Sequence, residues 1–127
     1  MTIKEAINQA DMMRAGNTSS EKEKRLWLSA IEGIIKTEII DTHEGCENVS
    51  FSGYDTNTDG DTVLIAPAPY DELYISYLMA KIDLANGEYA AYNNSTALFE
   101  TQYKKFAAYW NRTHISNGAK TMKFSTR

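Results

Sequence analysis

Along residues 89–110, the side chains Tyr89, Tyr92, Thr96, Phe99, Tyr103, Phe106 and Trp110 recur at alternating steps of three and four. No other feature of the chain restricts its fold as much. A strand would send such side chains alternately to two faces, whereas a helix gathers them in one seam. The spacing predicts a long helix whose aromatic seam packs on a neighbouring helix. The other use of such a seam is contact between subunits.

Three further helices are written upstream. Thr2-Ile3-Lys4-Glu5 reads as a capping box, a Thr at the N-cap with Glu three residues on. Ile3, Ala6, Ile7, Ala10 and Met13 follow at helical spacing, so a first helix is expected to about Arg14, ended by Gly16-Asn17-Thr18. A second box, Ser20 with Glu23, opens a helix expected over 21–42. Its apolar stripe is Trp27, Ala30, Ile31, Ile34, Ile35 and Ile39, with Glu23, Lys24, Glu32, Lys36 and Glu38 mostly on the opposite face. A third helix is expected from Tyr70, with Asp71 and Glu72 at its positive end and Asn86-Gly87 as its stop. It carries two stripes, Leu73/Tyr77/Ala80/Leu84 and Tyr74/Leu78/Ile82/Ala85, the mark of a central helix with neighbours on both sides.

Residues 43–69 break the helical pattern, being rich in Gly, Asn, Asp, Ser and Thr. Two β-like runs, Val49–Phe51 and Thr62–Ile65, flank the turn-rich segment 54–61. The expected fold is therefore mainly α: four helices in one domain over 1–114, with a small β-hairpin or irregular loop between the second and third. Residues 115–127 lose periodicity and are expected to form a flexible basic tail.

Length and composition agree. A chain of 127 residues, 43% hydrophobic and 24% charged, can bury one real core. No apolar run approaches the roughly 18 residues a membrane helix needs. The first thirteen residues lack an apolar signal core, so no export signal is expected there. The single cysteine, Cys46, excludes an internal disulfide and suits a reducing compartment.

The net charge of −4 is unevenly spread. All 17 acidic side chains lie before residue 101, whereas Lys104, Lys105, Arg112, Lys120, Lys123 and Arg127 follow it. Cations suit the negative end of a helix. The same asymmetry would let a basic tail meet an acidic surface, including that of another copy. On this basis Asp55, Asp59, Asp61, Lys120, Lys123 and Arg127 are the expected subunit contacts. The acidic bulk argues against a dedicated nucleic-acid binder, despite basic residues near Phe106, Tyr109 and Trp110.

Three constellations invite chemistry. Asp55-Thr56-Asn57-Thr58-Asp59-Gly60-Asp61 repeats the first half of a calcium-binding loop, with Asp55, Asn57, Asp59 and Asp61 as oxygen donors. The second half departs from it: Ala66 stands where a bidentate Glu is needed, and the same residues suit any tight turn. His43 and Cys46 stand three apart, but a zinc site needs about four ligands and a Cys–His nucleophile needs a third, orienting group. Helix termination by His43 and Gly45 accounts for that stretch. Asp71 and Glu72 could act as paired carboxylates, and a first helical turn accounts for them equally. No phosphate loop, nucleophile elbow or zincin motif occurs. The expectation is a protein without catalytic residues or a cofactor.

Several stretches resemble a family of small proteins from the structural gene modules of tailed phages and prophages of Gram-positive bacteria. They are Trp27-Leu28-Ser29, residues 36–45 (KTEIIDTHEG), 64–73 (LIAPAPYDEL), 81–92 (KIDLANGEYAAY) with Asn93-Asn94-Ser95, and 109–114 (YWNRTH). The likeness spans residues 20–114. It implies a head–tail connector or head-completion protein, present in the virion and in the host bacterial cytoplasm during assembly. Implied partners are the portal protein, tail-completion proteins and further copies in a ring, with DNA only passing through a channel. Two other functions remain open at this point: an adaptor that binds a host protein, and a metal-dependent enzyme using Asp41, His43 and Asp59.

Overall fold

The structure, a computed structural model, describes residues 1–117. Four α-helices follow in order: α1 Ile3–Met13, α2 Glu21–Ile35, α3 Glu72–Ala85 and α4 Tyr89–Thr113. A π-helical segment, Lys36–Ile40, continues α2 without a break. The fold is mainly α, as the periodicities predict.

Both capping boxes form. The Thr2 hydroxyl accepts from the Glu5 amide at 3.1 Å while the Glu5 carboxylate accepts from the Thr2 amide at 3.1 Å. Ser20 and Glu23 repeat the exchange at 3.1 and 3.0 Å. Each box satisfies amides that a helix start leaves without partners. Gly87 ends α3 with a φ of 72°, a left-handed conformation that a Cβ disfavours, and its amide donates to the Leu84 carbonyl at 3.1 Å.

Helix α3 is central and packs on α1, α2 and α4. Leu73, Tyr74, Leu78, Ala80 and Ile82 are buried, so both of its stripes find neighbours; only the last turn, Leu84 and Ala85, reaches solvent. Ile3, Ile7, Leu28, Ile31, Ile35, Ile40 and Phe106 complete the core from the other helices.

The seam of α4 packs along its second half. Phe106 is fully buried, Phe99 meets Tyr77 edge-on at 5.2 Å, and Trp110 meets Phe106 at 5.8 Å. Tyr89, at the head of the seam, is exposed, because α3 ends before it can cover that turn.

Of the two alternatives for the segment between α2 and α3 the irregular loop is the one present, and the expected faces of α2 are corrected. The hairpin does not form. Thr62–Ile65 turns to the N-terminal segment instead, through an isolated antiparallel bridge between Val63 and Thr2, with Leu64 donating to Met1 and Ile3 to Thr62. Val49–Phe51 pairs with no strand among the described residues, and the connection from α2 to α3 is irregular. The correction concerns the faces of α2. Lys24, Arg25 and Glu32 are buried with Leu28, Ile31 and Ile35, while Ala30 and Ile34 face solvent. Polar partners on α1 and on the connecting loop draw the charged side chains inward.

Residues 115–117, the start of the expected tail, lie along the end of α2. Ser116 bridges His43, Glu44 donates to the Ile115 carbonyl, and Asn117 donates to Thr42. Lys120, Lys123 and Arg127 lie outside the described residues.

Candidate functional site

The most unusual chemistry is a buried carboxylate. Glu32 is fully buried on α2, with no cation against it among the described residues. The Tyr54 hydroxyl donates to it at 2.7 Å, the Ile65 amide at 2.8 Å, and the Tyr74 hydroxyl also donates. Tyr74 in turn accepts from the Ala66 amide at 2.8 Å. Burial pushes the Glu32 carboxyl above its ordinary range, although all three donors oppose the shift. Burial, and then the Glu32 charge, push both tyrosines up in turn, so they stay protonated as donors. The cluster fastens the irregular loop to α2 and α3. Both Glu32 oxygens are engaged internally, one by Tyr74 and the other by Tyr54 and the Ile65 amide.

A second cluster ties three helices at the opposite end of α3. Asp83, 2% exposed, takes both fork nitrogens of Arg14 from the end of α1, at 2.7 and 3.1 Å, and the Ser95 hydroxyl of α4 at 2.8 Å. Burial alone would raise the Asp83 carboxyl; Arg14 and Ser95 more than offset this and hold it below the usual range.

The Asp55–Asp61 segment is a chain of turns closed around a side chain. Asp55 accepts from the Asn57 and Thr58 amides at 2.8 and 3.0 Å, and Asp59 accepts from the Asp61 amide at 2.9 Å. The Arg25 guanidinium enters from α2 and donates to the carbonyls of Asp55 at 2.9 Å and Thr58 at 2.5 Å. A cation of the protein's own thus occupies the inward-facing oxygens of the loop. Asp55, Asn57, Asp59 and Asp61 are exposed, their side chains on the rim.

His43 is buried, with Nδ1 2.6 Å from the Ile39 carbonyl and Nε2 2.7 Å from Asn111 Oδ1. Cys46 Sγ lies 3.6 Å from the Glu44 carbonyl. Both ring nitrogens of His43 are therefore turned to other partners than the thiol. His114 stacks on Trp110 at 3.9 Å and meets His43 edge-on at 6.3 Å. The arrangement latches α4 to the end of α2. Asp41 pairs with Lys36. Asp59 sits at the Arg25 end of α2, and the helix with its π segment runs 15 residues on from Arg25 to Ile40, about 22 Å, before His43 is reached. The structure does not bring Asp41, His43 and Asp59 together, and among the described residues no three His, Cys, Asp or Glu are placed to share a metal ion. Asp71 and Glu72 lie at the start of α3, Asp71 half-buried and Glu72 exposed.

What the molecule leaves open is apolar surface. Met12 and Met13 of α1 and Leu98 of α4 face each other across Ile75 and Met79 of α3, forming a groove of about 260 Å³. Met12 is 78% exposed. On α2, Leu26, Ala30 and Ile34 form a solvent-facing ridge at four-residue steps, turned away from the buried Leu28, Ile31 and Ile35. No described helix is long and apolar enough to cross a membrane.

Glu32 and Asp83 are the two residues that sequence reasoning missed. A signal existed for Glu32: it stands four residues after Leu28 and three before Ile35, inside the buried stripe by helical count. Asp83 falls between the two stripes of α3, and only Arg14, 69 residues away in sequence, explains it.

No protein-family model, curated protein or solved structure matches the chain.

Proposed function

We propose that this protein is a virion structural component of a tailed phage or prophage, a head–tail connector that seats on a portal protein and associates with copies of itself. The observation that carries the proposal is the pair of uncovered apolar surfaces, the α1/α3/α4 groove and the α2 ridge, on one small subunit. Two different apolar patches on one chain suit head-to-tail contact, in which each copy offers one face and receives the other; such contacts close into rings where the rotation allows. The buried charged residues Glu32, Asp83, Lys24 and Arg25 are engaged in holding the subunit together, which suits a part that must be rigid. The resemblance of residues 20–114 to phage structural-module proteins suggests the virion context. In that setting the protein assembles in the host cytoplasm, meets portal and tail-completion proteins, and lets DNA pass through a channel.

The test is to mix the purified protein with the portal protein of the same genome and image the mixture by negative-stain microscopy. The expected result is an added ring of density at one end of the portal. Portals that stay bare at saturating concentrations of this protein overturn the proposal.

A further inference from the structure

Five sulfur-bearing side chains lie among the described residues, and two of them stand apart. Met79 and Cys46 are buried, and Met1 is half-buried against the core. Met12 and Met13 are 78% and 58% exposed, side by side in the last turn of α1, and both line the groove with Leu98. The next residue holds that turn in place, because the Arg14 guanidinium is clamped on Asp83. Two thioethers are thus open to solvent on a fixed backbone. The side-chain amides of Gln9 and Gln102 line the same groove. Gln102 turns its Oε1 to the Ser76 hydroxyl at 2.6 Å, so its N–H donors remain for the groove.

We infer that Met12 and Met13 form a reversible oxidation site, at which a peroxide closes the groove to apolar contact by converting both thioethers to sulfoxides. In that step a sulfur lone pair attacks one oxygen of hydrogen peroxide. An S–O bond forms and the O–O bond breaks. The departing hydroxide takes the proton from the transferred oxygen and leaves as water, so sulfur is oxidised and the peroxide reduced. A thioether has no proton to lose, so exposure alone decides which methionine reacts. Each sulfoxide is polar where the groove was apolar, and the Gln9 and Gln102 amides offer N–H groups to its oxygen. A methionine sulfoxide reductase drawing on a dithiol restores the thioether. The consequence for assembly rests on the reading of this groove as a subunit contact; the oxidation site itself does not.

The test treats the full-length chain with hydrogen peroxide and follows each methionine by peptide mass spectrometry. Met12 and Met13 should each gain one oxygen at least about tenfold faster than Met79, whose oxidation waits on local opening. Helical circular dichroism should stay unchanged, because the turn keeps its Arg14 clamp. Retention on a phenyl column should fall on oxidation and return after methionine sulfoxide reductase with dithiothreitol. It should not fall in the double variant Met12→Leu/Met13→Leu. Oxidised protein should leave portals bare where the unoxidised protein forms a ring. Equal rates at Met12, Met13 and Met79 overturn the inference. So do a retention shift that survives undiminished in the double variant and oxidised protein that still decorates the portal. Portals left bare by the unoxidised protein overturn the connector reading instead, and the mapping and retention results still decide the inference.

Discussion

The Tyr74 hydroxyl stands between the Glu32 carboxylate, to which it donates, and the Ala66 amide, from which it accepts at 2.8 Å. One phenol thereby joins α3, α2 and the irregular loop. Removing it in Tyr74→Phe leaves a buried carboxylate oxygen and a buried amide short of partners. The expected cost is about 1–3 kcal/mol, measured by urea unfolding. Tyr54→Phe removes one donor and strands no amide, so its cost should be smaller.

Glu32 and Asp83 should impose opposite pH dependences. Glu32 has its folded value raised, chiefly by burial, so its protonated form favours the fold. Its contribution is present below the ordinary glutamate value and declines as pH rises through the raised value. Glu32→Gln should therefore gain stability relative to the unaltered protein as pH rises through that window. Asp83 has its folded value depressed, so its contribution is present above the ordinary aspartate value and is lost as pH falls through the depressed one. Asp83→Asn should lose its disadvantage at the acid end. Urea midpoints across pH check both directions.

Arg14→Ala leaves the Asp83 carboxylate buried with Ser95 as its remaining side-chain donor. Stranding one member of a buried ion pair costs about 3–5 kcal/mol, and the low end applies because Arg14 itself is partly exposed. Thermal unfolding should show a large fall in midpoint. Asp83→Asn should cost less, since an amide still meets Ser95 and carries no unpaired charge.

Arg25→Met should free the loop it fills. The Asp55 and Thr58 carbonyls lose their shared donor, and the helix keeps an apolar stem of similar length. Protease cleavage within residues 55–61 should speed up while helical circular dichroism at low temperature stays unchanged.

Met13→Asp and Ile34→Asp probe the two open apolar surfaces. Both side chains are exposed, so each change should leave stability within about 0.5 kcal/mol. Each should nevertheless prevent addition to a portal. A variant that folds normally and still forms rings counts against the assigned contact faces.

The helices were legible because their signals are local. Caps, a 3.6-residue period and Gly87 lie within a few residues of what they specify, and Tyr74, Phe106 and Leu78 could be placed in the core by spacing alone. The faces of α2 were not legible, since Glu32 and Arg25 face inward on account of partners more than twenty residues away. The hairpin failed for the same reason: Val63 met Thr2, and no local pattern announces that pairing. Of the candidate site residues, the exposure of Asp55, Asp59 and Asp61 followed from turn chemistry, whereas the guanidinium closing their loop did not.

The π segment Lys36–Ile40 works as a phase shifter. Its wider turn, closed by the Asp41 amide on the Lys36 carbonyl, holds one residue more than an α turn. Adjacent residues Ile39 and Ile40 both reach the core as a result, and His43 arrives facing Asn111. Deleting a single residue there would let the helix run on regularly but swing everything after it by about 100°. His43 would then miss α4, and Thr42–Glu44 would no longer line up with Ile115–Asn117. The docking of α4's far end is in this sense set by one surplus residue in the segment that continues α2.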